Sequence, residues 1–185
     1  MALGRLDEAA TGEAARKPVA ECLATAEDCV REIRSLSHLL HPPLLDELGL
    51  EVALDTYIQG FSKQSGVAVK LDAPADLDRL PGDVELTLFR IVQESLGNVL
   101  KHSGCAEATV QLARLRDRVL LEIRDRGRGI PAERLERLRN RQPDTGMGIA
   151  GMRERLEPLG GQLEIDSSTE GTVIRAVVPI PPGTP

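Results

Sequence analysis

The chain has 185 residues, 41% of them hydrophobic and 28% charged, enough for one full domain plus an appendage in a soluble globular protein. A net charge of −6 and only 2% aromatic residues argue against broad electrostatic binding of nucleic acid or anionic membrane, and against a base-stacking platform. No apolar run reaches the roughly 18 residues a membrane span needs, and no signal-peptide pattern is present. Cys22, Cys29 and Cys105 lack metal-ligand spacing. The expected setting is therefore the cytoplasm, with a membrane part on a longer relative left open.

Taken in order, Met1 to Lys17 is small, charged and interrupted by glycine, and reads as a flexible start. Val19, Ala26, Ile33 and Leu40 then recur every seven residues, a heptad seam opened by Pro18 and closed by Pro42-Pro43. Such a seam serves either an intramolecular packing face or a dimer. A second helix is expected over roughly residues 46–64, striped by Leu50, Leu54, Tyr57, Ile58 and Phe61 and closed by Gly66. Residues 67–71 alternate as a short strand, and residues 72–82 form a loop.

Asp83 is placed to cap a helix running to Gly104. At about 100° per residue, its Leu88, Phe89, Val92, Leu96 and Val99 share one face. Glu94, Asn98 and Lys101 fall on the other, with His102 at the margin. Residues 108–115 and 119–125 read as an antiparallel hairpin, 130–141 as a short helix and 148–159 as another. A second hairpin pairs 162–166 with 172–179, and the last five residues read as a disordered tail. The fold class is α+β, a two-layer sandwich with helices on one face of a mixed, mainly antiparallel sheet, preceded by a long N-terminal helix.

Four features carry chemistry. A carboxylate, an amide and an ammonium on one helix face can position a nucleophile, ligate Mg²⁺ and meet a phosphate, although an amphipathic helix with a solvated face has the same pattern. Asp125 ends a strand before Arg126-Gly127-Arg128-Gly129, where a carboxylate can accept a hydrogen bond from an exocyclic amine; a charged turn would look alike. Asp144-Thr145-Gly146-Met147-Gly148 feeds a helix whose N-terminal N–H groups can face phosphates, without the Lys-Ser/Thr pair of a P-loop. Gly171-Thr172 begins the last strand, and Thr172 can bond a ligand or simply suit a strand.

In this order, the features resemble the ATP-binding domain of the gyrase, Hsp90, histidine kinase and MutL superfamily, the Bergerat fold. FRIVQESLGNVLKHSG resembles its N-box, IRDRGRGI its first glycine box and GMGIAGMRERL its second. REIRSLSHLLHPPLLDELGL is similar to the end of the dimerisation helix and the connector of sensor histidine kinases of the NarL/DesK class. The resemblance implies ATP and Mg²⁺ as cofactors. It implies that Glu94 is catalytic, that Asn98 ligates the metal, and that Lys101 and His102 lie by the phosphates. Asp125 would bind the adenine amine, Gly127 and Gly129 shape that wall, Gly146 and Gly148 form the lid and its hinge, and Thr172 support the adenine side.

The resemblance also implies a domain plan: a flexible start over 1–17, the second helix of a dimerisation hairpin over 18–43, the ATP-binding catalytic domain over 44–180 and a tail over 181–185. Its partners would be a response regulator and the dimerisation domain of the same or a related kinase, with homodimerisation through the N-terminal helix where a partner helix is available. No direct nucleic-acid partner is expected. The family's acceptor histidine is followed by Asp or Glu, whereas His38, His41 and His102 are followed by Leu, Pro and Ser. The γ-phosphate would therefore go to a histidine absent from this chain. Arg126 stands where the family usually has Asn. The alternatives are a non-catalytic nucleotide-binding or dimerisation module that regulates a full-length kinase, and an anti-sigma-factor-type serine kinase.

Overall fold

The computed structural model describes residues 43–74, 77–140 and 147–180. From Leu44 onward these belong to one compact unit. The heptad seam, the Met1–Lys17 start, Gly146 and the C-terminal tail lie outside the described residues.

The expected single helix over 46–64 is two: α1, Pro43–Leu48, and α2, Leu50–Ser65. Gly49, at φ 84°, breaks them apart, a conformation its lack of a Cβ permits. Pro43 opens α1, as suits a residue with no N–H to offer. After strand β1 (Ala68–Asp72) comes the long helix α3, Gly82–Asn98. Asp83 is not its N-cap. The helix begins at Gly82, after Pro81, and Asp83 sits in the first turn, where a carboxylate still favours the positive end of the dipole. Beyond Asn98 the helix widens into a π turn, Val99–Ser103, that ends at left-handed Gly104.

Strands β2 (Glu107–Arg114) and β3 (Arg118–Asp125) form the first hairpin. Helices α4 (Ala132–Arg139) and α5 (Met147–Leu156) follow, then β4 (Gln162–Ser168) and β5 (Gly171–Pro179) as the second hairpin. The sheet order is β1-β2-β3-β5-β4, antiparallel except where β1 runs parallel to β2.

Strand alternation sorts the sheet into two faces. Val110, Leu121, Ile123, Ala176 and Val178 point into a shared core with Leu88, Val92 and Leu96 of α3. The opposite face is polar and ion-paired. Arg175 bridges Glu122 and Asp166, both at 2.7 Å, and Arg124 reaches Glu122 at 3.0 Å. A ladder of cross-strand pairs of this kind suits a face turned to solvent.

One buried charge ties the connector to the core. Glu85 is 2% exposed and accepts from Arg79 Nε and Nη2 and from the Leu80 N–H, each at 3.0 Å. Arg79 also donates to the carbonyls of Leu45 and Asp46 in α1. Replacing Glu85 with Ala would strand these donors. Because Arg79 is half exposed, we expect a loss of about 2–3 kcal/mol rather than the full cost of a broken buried pair. Urea denaturation measures it, and a loss below about 0.5 kcal/mol would contradict the clamp.

Candidate functional site

The C-terminal half of α3, the strand ends at Asp125 and Thr172, and α4 enclose a cleft of about 540 Å³. That volume is ordinary for a small-molecule site. Its walls are mainly apolar, from Val99, Ile123, Ile130, Leu135, Ile149 and Ile174, with polar groups set at particular points.

Asp125 marks one end. It is 8% exposed, and its Oδ1 accepts the Gly127 N–H at 2.8 Å. Oδ2 has no hydrogen-bond donor among the described residues, so a carboxylate oxygen remains for a ligand amine. The turn after Asp125 is pressed against its neighbours. A Cβ at Gly127 would meet the Ser103 backbone, and one at Gly129 would meet the Ser168 carbonyl with φ already at 70°. Both glycines are thus required for the cleft wall to close.

Thr172 lines the same end. Its hydroxyl is 3.0 Å from Ser167 Oγ, which accepts the Ile130 N–H at 2.8 Å and reaches the Gly171 carbonyl at 3.1 Å. Ser167 was not among the residues read from the sequence. Its only signal there is the period-two alternation that puts it on the same face of β4 as buried Ile165.

Asn98 and His102 line the other end. A uniform α-helix would swing both Lys101 and His102 towards Asn98. The π turn widens the spacing and brings His102 to the cleft, while Lys101 is exposed and outside the cleft lining. Arg128 fixes this turn against the loop after β3, its Nε donating to the His102 carbonyl at 2.6 Å and its N–H to the Ser103 carbonyl at 3.0 Å.

Glu94 sits one turn before Asn98, outside the cleft wall, facing the start of α5. A Cβ on Gly148 would collide with Glu94 Oε1, so glycine there makes room for the carboxylate. The position beside a helix N-terminus favours its negative charge. Burial pushes the Tyr57 phenol above its usual range, and the Glu94 carboxylate raises it further. Met152 of α5 closes the helix pair, accepting from Ser95 Oγ at 3.9 Å.

No group of three or more His, Cys, Asp or Glu among the described residues could hold a metal by itself. Mg²⁺ needs no such cage, because it takes one or two protein oxygens and fills its octahedron with water and phosphate oxygens. The Asn98 amide oxygen at the cleft wall is a donor of that kind.

Comparison with known proteins decides the family. Residues 83–182 match the model of the histidine kinase-, DNA gyrase B- and HSP90-like ATPases, more than half of the chain. The chain belongs to this ATPase family. It is 34% identical over 150 residues to the sensor histidine kinase MctS of Rhizobium johnstonii, covering 81% of this chain and 32% of MctS. It is 34% identical over 153 residues to the oxygen sensor histidine kinase NreB of Staphylococcus carnosus, covering 82% of this chain and 42% of NreB.

The chain thus spans about a third to two-fifths of the length of these relatives. The relatives it matches are sensor histidine kinases, and its ATPase domain is of the kind they carry. In fold it is similar to the histidine kinase domain of a blue-light activated kinase from Erythrobacter litoralis, with a TM-score of 0.61 at 20% identity over 96% of this chain and 93% of that one. Among the described residues, no helix is long and apolar enough to cross a membrane.

Proposed function

We propose that this chain binds Mg-ATP in the cleft and transfers its γ-phosphate to a histidine of another chain, within a two-component relay that ends on a response regulator. The observation that carries the reading is the polarity of the cleft. A buried carboxylate with one oxygen to spare stands at one end, and an amide and an imidazole stand at the other.

In this reading the adenine amine donates to Asp125, with Thr172 and Ser167 supporting the ring edge and Gly127 and Gly129 keeping that wall thin. The triphosphate runs along α3 towards Asn98, whose amide oxygen would hold Mg²⁺, with His102 by the phosphates. When bound, the metal neutralises charge on the phosphates. Lys101, being exposed at the cleft margin, would act as a distant charge rather than a direct ligand. Glu94 faces the end of the phosphate path, where it orients the incoming imidazole and takes up its proton. Gly148 keeps this carboxylate in place, and with Gly146 it would hinge the lid.

Asp125→Asn is expected to weaken ATP binding by about 10- to 100-fold, the worth of a hydrogen bond to a charged acceptor. Isothermal titration reads it, and an unchanged affinity would remove adenine from this end of the cleft. Transfer itself is tested in trans. The chain is mixed with labelled Mg-ATP and a separately made helical-hairpin acceptor domain of a NarL/DesK-class kinase. Acid-labile label on the acceptor's histidine is the expected result. Intact ATP binding with no label would make the chain a regulatory nucleotide-binding module instead.

A further inference from the structure

At the Asp125 end of the cleft, the direction of each hydroxyl bond follows from counting donors and acceptors. Ser167 Oγ, near the end of β4, has three neighbours within hydrogen-bond distance. They are the Ile130 N–H at 2.8 Å, the Gly171 carbonyl at 3.1 Å and Thr172 Oγ1 at 3.0 Å. A hydroxyl has one proton to give and two lone pairs to receive with. The Ile130 amide can only donate, so it occupies one lone pair of Ser167. The Gly171 carbonyl can only accept, so it takes the Ser167 proton. One lone pair remains, and Thr172 can meet it only by donating its own proton.

Thr172 therefore spends its O–H inside the wall and turns only lone pairs towards the cleft. Its hydroxyl has no other hydrogen-bond partner among the described residues.

Strand register brings the Asp125 carboxylate beside it. Arg124 pairs with Val173 across β3 and β5, and one step further sets Asp125 opposite Thr172. Both side chains stand on the face of buried Ile123 and Ile174. Directly opposed residues have Cβ atoms about 5 Å apart, within reach of one ligand group. Asp125 Oδ1 already accepts the Gly127 N–H, and a carboxylate has no proton to give. Ser168 and Thr169, also in the cleft lining, are exposed at the hairpin turn. The partly enclosed wall thus presents two acceptors and no hydroxyl donor.

We propose that Ser167 is a positioning residue for base selection: by receiving the Thr172 proton, it makes this end of the cleft read donors only. The complementary group is a ring amine with two N–H bonds, one for Asp125 Oδ2 and one for Thr172 Oγ1. A ring carbonyl in the same place meets two acceptors. The inference rests on the adenine reading proposed above and adds the residue that sets the polarity of Thr172.

Calorimetric titration with ATP and ITP tests it. Their bases differ in the exchange of that amine for a carbonyl, with a proton added on the adjacent ring nitrogen. The unaltered chain should prefer ATP. Ser167→Ala frees the Thr172 proton to meet a carbonyl, and should narrow the ATP-to-ITP affinity ratio by about tenfold. Loss of the Ile130 contact alone would loosen the wall for both nucleotides and leave the ratio where it was. Thr172→Val should weaken ATP by about 3- to 10-fold and leave ITP unchanged or tighter. Combined with Thr172→Val, Ser167→Ala should no longer move the ratio.

An unchanged ratio in Ser167→Ala would overturn the role of Ser167. So would an equal loss of both nucleotides in Thr172→Val, a variant that decides the matter even where Ser167→Ala does not fold. An unaltered chain that binds ATP and ITP alike would overturn the adenine reading itself, and this inference with it.

Discussion

Replacing Glu94 with Gln is expected to cut transfer to an acceptor histidine by about 10²- to 10⁴-fold, the usual worth of a general base. ATP affinity should change by less than about twofold, because a group acting only in the transition state adds little to ground-state binding. The substitution is isosteric. It keeps the contact with Gly148 and removes only the charge that faces the start of α5. The Tyr57 phenol supplies a second readout: its ionisation, followed by phenolate absorbance on the chain's single tyrosine, should move down towards the ordinary value while staying raised by burial. Transfer at the unaltered rate would take Glu94 out of the chemistry.

Gly171→Ala is expected to do more damage than its single methyl suggests. Gly171 begins β5 at φ 131°, a backbone conformation that side chains rarely permit, and an added Cβ would collide with the Asp125 carbonyl. Backbone strain and overpacking each cost about 1–3 kcal/mol, so a loss of about 3–5 kcal/mol is expected. The relief available is a local parting of β3 from β5, which moves Asp125 and Thr172 together. ATP binding should therefore fall even where the chain stays folded. Denaturant unfolding with nucleotide titration separates the two effects. A stable variant with normal ATP affinity would show that this strand junction tolerates displacement.

The sequence carried the site's parts better than their seams. The two faces of α3 follow from a strong 3.6-residue period, and all five residues assigned to its core face are buried. Both hairpins follow from alternation and turn residues. Boundaries that depend on one residue's dihedral were hidden. The break at Gly49 falls inside the expected helix, just ahead of its apolar stripe, and Pro81 displaces the helix start that Asp83 suggested.

The π turn was hidden too, because it alters the angle per residue rather than the residue types, and it decides that His102 reaches the cleft while Lys101 does not. Long-range partners left no trace in any local pattern. Buried Glu85 reads as one more acidic residue in a helix's first turn, and its need for Arg79 emerges only when the connector folds back. The parallel pairing of β1 with β2 is another such feature, set by the length and packing of the intervening helix.

The most direct test of the account is nucleotide selectivity. Its central claim is that adenine lies at the Asp125 end of the cleft, with the phosphates running towards Asn98. Adenine offers a donor to a carboxylate where guanine presents a carbonyl oxygen, so GTP would face a buried acceptor with an acceptor of its own. Calorimetric titration of the unaltered chain should give GTP an affinity lower than that of ATP by about 100-fold or more. Equal affinities for ATP and GTP would contradict the account, because a base held in the adenine pose would set guanine's carbonyl oxygen against the Asp125 carboxylate.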